Sequence, residues 1–257
     1  MLHIHPVPAF RDNYIWVIHN QSDAVAVDPG TASPVIEFLE HNQLQLNAIL
    51  ITHHHSDHTG GIAELHRWCD VPVYGPAAEA IAAVTHPLHE HDRVSLPALP
   101  LNLAVIDIAG HTRGHIAYYG THPFNMVFCG DTLFACGCGR VFEGTPQQMY
   151  QSLQKLSRLP DDTLIFCAHE YTLGNVAFAR KIDPANTELI EFETKARQLR
   201  QQNLPTVPTT LELERAINPF LRCEQPQIIA SAQRYPDKPF SDPVSIFAAL
   251  REWKNNF

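Results

Sequence analysis

Short apolar runs alternate with helix-like stretches over the first two-thirds of the chain. Tyr14-Ile15-Trp16-Val17-Ile18 and Ala24-Val25-Ala26-Val27 read as strands, the second stopped by the turn signal Asp28-Pro29-Gly30. Ser33-Pro34 then reads as an N-cap and first helical position, with Val35, Ile36, Phe38 and Leu39 as the buried stripe. Ile49-Leu50-Ile51 predicts a strand, and residues 58–68 predict a helix. Further strands are expected at 71–74, 103–108, 116–119, 126–129 and 164–167, and a helix at 146–156 with Thr145 as its cap. Many strands interleaved with helices indicate an α/β (α+β) domain over residues 1–170.

After about residue 170 the strand signal disappears. Helices are expected at 175–181, 186–202, 211–216 and 243–254, separated by breaks at Pro184, Pro205, Pro208, Pro219, Pro226, Pro236 and Pro239. Residues 171–257 are therefore expected to form a small all-helical domain, near the low end of ordinary domain size. There is no internal repeat.

Composition adds limits rather than a function. The 257 residues are 45% hydrophobic and 18% charged, ordinary for a well-packed enzyme. A net charge of −9 argues against nucleic acid or an anionic membrane as partner, since both demand a basic surface. An anionic small molecule needs only a local basic cluster. Met1 to Pro6 lacks the basic and apolar regions of a secretory signal, and no apolar run approaches the roughly 18 residues of a membrane span. A cytoplasmic monomer is expected. The six cysteines do not resemble a disulfide framework. Cys136-Gly137-Cys138 lacks the second pair that a thiolate zinc site of this type requires.

The sixteen histidines change the picture through their placement. Four strand-like runs each end on a potential metal ligand: Ile49–Thr52 on His53, Val105–Gly110 on His111, Met126–Gly130 on Asp131, and Leu164–Ala168 on His169. In layered α/β folds, sites form where loops leave strand ends. The run His53-His54-His55-Ser56-Asp57-His58 adds the spacing H-x-H-x-D-H. Alternate residues of an extended segment point the same way, so His53 and His55 can grip one cation while Asp57 and His58 face a second. His111 would complete the first site and His169 the second, with Asp131 bridging. Imidazole and carboxylate ligands suit zinc, and also iron or manganese. His54 is expected to point away into structure, and His115 to support the site by hydrogen bonding.

Two metals lower the pKa of a shared water enough to give hydroxide near neutrality, so no protein nucleophile is needed. The chain contains no G-x-S-x-G elbow and no G-x-x-x-x-G-K loop, which removes the serine-nucleophile and phosphate-cradle plans. Metal-assisted hydrolysis is the expected chemistry.

These residues resemble a known family. T-H-x-H-x-D-H with Gly60-Gly61, then Gly110-His111-Thr112-x-Gly114-His115, then Gly130-Asp131-Thr132, is similar to the metallo-β-lactamase-fold superfamily. Phe128-Cys129-Gly130-Asp131-Thr132-Leu133-Phe134, Gly137-Cys138-Gly139-Arg140, Cys167-Ala168-His169-Glu170-Tyr171-Thr172 and Pro8-Ala9-Phe10-x-Asp12-Asn13-Tyr14 resemble the glyoxalase II (hydroxyacylglutathione hydrolase) family, along nearly the whole chain. The resemblance implies a four-layer αββα domain followed by a helical substrate-binding part. It also implies cleavage of S-D-lactoylglutathione to D-lactate and glutathione, the second step of methylglyoxal detoxification. Carried over by position, His53, His55 and His111 hold one metal and Asp57, His58 and His169 the other. Asp131 bridges, and a metal-bridging hydroxide attacks with Asp57 orienting it. Glutathione contacts map onto Arg140, Phe142, Tyr171, Arg251 and Lys254. Phe142 departs from a tyrosine found in animal members, which removes a hydroxyl contact. Arg140 stands where lysine also occurs, which keeps the charge and changes its geometry.

Other readings stay open at this point. A persulfide dioxygenase of the same superfamily needs one iron, leaving Asp57, His58 and His169 partly idle. A lactonase of the same superfamily is a further alternative, and a nuclease of the same fold is disfavoured by the acidic balance. A non-catalytic metal-binding protein would close its coordination, whereas a bridging Asp131 leaves open positions.

Overall fold

The computed structural model describes residues 1–235, 240 and 242–257. The chain packs as two compact units: residues 1–107 with 112–130, and residues 108–111 with 131–257. This division of the packing does not follow the 170/171 division drawn from the sequence.

In the first unit, β1 (His3–Ala9), β2 (Asn13–His19) and β3 (Asp23–Val27) are antiparallel neighbours. The chain then crosses over through α1 (Ser33–His41) to β4 (Gln45–Leu50), parallel to β3. The short α2 (Ser56–Thr59) and α3 (Ile62–Trp68) lead to β5 (Val73–Pro76) and β6 (His86–Leu88), which extend the sheet in parallel. A meander of β7 (Arg93–Leu96), β8 (Leu101–Asp107), β9 (Ile116–Gly120) and β10 (Met126–Gly130) forms a second layer. Strands β2 and β3 are buried along almost their full length, because both faces are covered; their sequences accordingly run apolar instead of alternating. The buried hydroxyl of Tyr118 on β9 donates to the Ile51 carbonyl at 2.8 Å, tying the meander to the end of β4.

Helix α1 buries Val35 and Leu39 against Val17, Ala26, Ile49 and Val73. Each such side chain contributes about 1.5–3 kcal/mol of burial. Its cap is Ala32, not the expected Ser33. Ala32 already has helical dihedrals, and the Ser33 hydroxyl donates to Glu37 one turn on. The helix expected over 58–68 is broken at Gly60-Gly61. A Cβ on Gly60 would lie 2.6 Å from the Gly30 carbonyl, and one on Gly61 2.6 Å from that of Pro29. The bare pair lets the 29–31 turn rest directly on the chain, at the cost of helical continuity.

The second unit opens with a hairpin of β11 (Leu133–Phe134) and β12 (Gly137–Cys138). Helix α4 (Pro146–Ser157) follows, with Thr145 and Gln148 forming a reciprocal capping box. Strand β13 (Leu164–Cys167) pairs antiparallel with β14 (Thr209–Thr210). That pairing corrects the expectation of no strand beyond 170; two residues are too few to register as periodicity. Helices α5 (Thr172–Ile182), α6 (Thr187–Gln201) and α7 (Leu211–Ile217) precede a 3-10 turn at Pro219–Leu221, then α8 (Pro226–Gln233) and α9 (Pro243–Asn255). Pro226, expected to break structure, instead starts α8, where its missing N–H costs nothing. Pro236 and Pro239 lie outside the described residues. Phe178, Phe220 and Phe247 form the aromatic centre of this unit, with ring centroids 6.1 and 5.8 Å apart in sequence, and Trp253 packs on Phe178 at 5.7 Å.

Candidate metal centre

Four of the expected ligands belong to the first unit. Residues following β4 deliver His53, which is fully buried. Its Nδ1 lies 3.1 Å from the Thr52 hydroxyl, which directs Nε2 to within 3.1 Å of His55 Nδ1. Two imidazole nitrogens thus converge at hydrogen-bond distance. Asp57 and His58 sit on α2, with Asp57 Oδ2 3.5 Å from His58 Nε2. The amide of Asn13 donates to the same oxygen at 3.1 Å, so the opening motif holds Asp57.

Sequence marks Asp28 only as part of a turn, and its role is larger. It is buried, accepts from the Thr52 main chain and hydroxyl at 2.7 Å each, and lies 3.0 Å from His58 Nδ1. Asp28, His53 and His58 bring their donor atoms within 4.8 Å of one another. Because both Asp28 oxygens already accept hydrogen bonds, it orients His58, leaving Nε2 as that ring's outward nitrogen. An aspartate closing an otherwise apolar strand was the available signal. His54 turns to Glu79, with Nδ1 2.9 Å from Oε2, as expected of the histidine that points away. His115 Nδ1 faces the Ile116 carbonyl at 3.1 Å, and its ring stacks on His53 with centroids 4.5 Å apart.

The second unit holds His111, Asp131 and His169. His111 Nδ1 faces the Arg140 carbonyl at 2.9 Å, and its Nε2 lies 3.5 Å from Asp131 Oδ2. His169 Nε2 lies 3.3 Å from the other oxygen, Oδ1. One buried carboxylate therefore divides its two oxygens between two imidazoles. Clustered histidine and carboxylate donors of this kind, in this fold, suit a binuclear metal site.

The expected substrate contacts also lie in the second unit. Tyr171, 40% exposed, stacks on His169 at 4.6 Å and 6°. Phe142, 61% exposed, meets the His111 ring edge-on at 5.2 Å. Arg140 is exposed. Arg251 and Lys254 share one face of α9; Arg251 is buried and donates to the Cys138 carbonyl at 2.7 Å. Lys254 stands over the Phe178 ring at 5.3 Å. Burial, reinforced by the neighbouring charges of Arg251 and Arg140, lowers its pKa to about 8. Cys136 and Cys138 are buried thiols whose pKa values burial raises, so neither is poised as a thiolate ligand.

The model of the metallo-beta-lactamase superfamily matches residues 9–169, and that of the hydroxyacylglutathione hydrolase C-terminus matches residues 170–257. The chain is 58% identical to a hydroxyacylglutathione hydrolase of Nitrosomonas europaea, over 100% of this chain and 97% of that protein. Among solved structures it is similar to ETHE1 from Myxococcus xanthus, with a TM-score of 0.65 and 22% identity, covering 99% of this chain and 98% of that one. TTHA1623 in a di-iron-bound form gives a TM-score of 0.54 and 27% identity, covering 64% of this chain and 91% of that one. The fold is thus that of the metallo-β-lactamases, an α+β domain followed by the helical C-terminal domain.

Proposed function

The chain belongs to the hydroxyacylglutathione hydrolase family within the metallo-β-lactamase superfamily, and from that premise we propose that it hydrolyses S-D-lactoylglutathione and related S-2-hydroxyacylglutathiones to the 2-hydroxy acid and glutathione. It is a thioester hydrolase acting in methylglyoxal detoxification, as a monomer in the cytoplasm. Among the described residues no helix is long and apolar enough to cross a membrane.

In this reading His53, His55 and His111 would hold one divalent ion and Asp57, His58 and His169 the other, with Asp131 as a ligand they would share. Zinc is the ion this set favours, with iron and manganese compatible. Bound there, the two ions would supply a hydroxide near neutral pH and polarise the thioester carbonyl. The remaining work falls to the chain's own side chains. Asp57, steadied by Asn13, accepts a hydrogen bond from the attacking water and so aims its lone pair. The leaving thiolate is stable enough to depart without a strong general acid.

Substrate recognition requires local positive charge on a chain of net charge −9. Arg140, Arg251 and Lys254 supply it for the glutathione carboxylates, and Tyr171 and Phe142 offer exposed aromatic surface for the peptide. Residues 171–257, which hold three of these five contacts, act as the substrate-binding domain.

The observation that carries the reading is Asp131, whose Oδ2 lies 3.5 Å from His111 Nε2 and whose Oδ1 lies 3.3 Å from His169 Nε2. The test is to follow the thioester absorbance of S-D-lactoylglutathione with protein whose metal content is measured in parallel. About two ions per chain with thioester loss is the expected result. Protein carrying two ions that leaves the thioester intact would overturn the proposal.

A further inference from the structure

One buried carboxylate outside the ligand set ties two parts of the first unit together. Glu79 lies beyond β5, and its side chain is 3% exposed. Oε2 accepts from the His54 main-chain N–H at 2.6 Å and faces His54 Nδ1 at 2.9 Å. Oε1 accepts from the Gly114 N–H at 3.0 Å and from the Thr112 hydroxyl. His54 is the residue between His53 and His55. Gly114 immediately precedes His115, whose ring stacks on His53.

We infer that Glu79 is a positioning residue for the metal centre, fixing the backbone of the His53–His55 segment to the turn that carries the His115 ring. The inference rests on the proposed ligand role of His53 and His55. The two main-chain N–H groups fall on different oxygens, so both oxygens must be acceptors, which only a carboxylate provides. A glutamine has nearly the same shape but one acceptor oxygen. Whichever way its amide turns, its NH2 faces the N–H of His54 or that of Gly114. Thr112 and the His54 ring can reverse their roles, but a main-chain N–H cannot. Gly114 completes the fit: a Cβ there would lie 2.6 Å from Glu79 Cγ and 2.9 Å from Ala78 Cβ. The missing side chain admits the carboxylate.

The consequence concerns metal retention more than substrate binding. Groups that orient ligands in this way are worth about 10–100-fold in metal affinity. The test compares zinc-loaded wild type with Glu79→Gln, measuring zinc affinity by competition with a chromogenic chelator, the KM for S-D-lactoylglutathione, and the melting temperature of metal-stripped protein. A 10–100-fold loss of zinc affinity with unchanged KM is expected, and the stripped variant should still melt cooperatively, somewhat below stripped wild type because one buried N–H loses its acceptor. Gly114→Ala, which keeps the carboxylate but crowds its seat, should weaken zinc in the same direction and decides the matter if Glu79→Gln does not fold. Wild-type zinc affinity in the folded variant would overturn the role of Glu79. Wild type that itself holds no zinc would instead overturn the proposed metal centre, so the two failures are distinguishable.

Discussion

His58 Nδ1 lies 3.0 Å from Asp28 Oδ2, with both side chains sealed from solvent. The contact fixes the tautomer: a carboxylate accepts, so Nδ1 carries the proton and Nε2 keeps its lone pair. Asp28→Asn should reverse this, because Thr52 N–H demands the oxygen on one side and the NH2 then faces His58. Nδ1 becomes the acceptor, the proton moves to Nε2, and the ring loses its outward lone pair. A fall of about 10–100-fold in affinity for one of two zinc ions is expected. Chelator competition should resolve one weakened and one unchanged ion; two unchanged ions would show that His58 Nε2 is not a ligand.

Asp131 is the second case. With one oxygen toward His111 and the other toward His169, it is the residue whose loss should affect both ions at once. Asp131→Ala should leave less than two ions per chain after dialysis and reduce kcat roughly 10³-fold, the scale of losing several kcal/mol of charge stabilisation. Elemental analysis and initial rates check both parts. Asp131→Asn retains one acceptor oxygen and should keep one ion.

Much of this centre is legible in the chain itself because a strand end and a two-residue spacing are local properties. The turn between β4 and α2 places His53 and His55 together through local geometry, and Thr145 announces α4 through a capping box only four residues long. What escapes is non-local or too short. Glu79 reaches His54 and Gly114 across 25 and 35 residues, and nothing in its neighbours signals either bond. Strand β14 has two residues and therefore no period to detect. Asp28 carried a visible cue, a charged residue closing an apolar strand, but a turn accounts for the same residue. Gly60-Gly61 is similar: its meaning lies in the 29–31 turn packed on it, not in the helix pattern it interrupts.

Glu214 provides a contrast to Glu79. It is fully buried, and burial raises its pKa to about 7 against the hydrogen bonds that favour its ionised form. Oε2 accepts from Cys136 N–H and Asn218 at 2.9 Å each, and Oε1 accepts from the Thr209 hydroxyl at 2.8 Å. Here a glutamine satisfies every partner: its oxygen takes the two N–H donors, and its NH2 donates to Thr209. The folded pKa lies above the unfolded one, so the folded state holds the proton more tightly. The stability this adds is complete below about pH 4.5 and is lost as pH rises through about 7. Glu214→Gln should therefore match or exceed wild-type stability above about pH 7, by on the order of a few kcal/mol, since each tenfold change in proton affinity is worth about 1.4 kcal/mol. Denaturant melts at pH 5 and pH 8 check this. A variant less stable than wild type at pH 8 would mean that the ionised carboxylate is itself the favoured species.

Lys254 carries the opposite sign and, as a proposed glutathione contact, a functional prediction. Burial, then Arg251 and Arg140, hold its pKa down to about 8, so the folded state releases the proton more readily than the unfolded chain does. Between about pH 8 and 10.5 the unfolded state binds more protons, and stability should rise with pH from this group. Substrate binding should run the other way, because only the protonated amine attracts a carboxylate. The KM for a glutathione thioester should increase as pH passes about 8, while kcat, set at the metal centre, stays level across the same interval. Lys254→Met keeps the apolar stem over Phe178 and removes the charge. It should show a KM about tenfold higher at pH 7, the scale of one charge-assisted hydrogen bond, and no further rise above pH 8. Initial rates at several thioester concentrations, corrected for spontaneous hydrolysis, give both constants. A KM in Lys254→Met that still climbs through pH 8 would assign the titration to another group and remove Lys254 from the glutathione contacts.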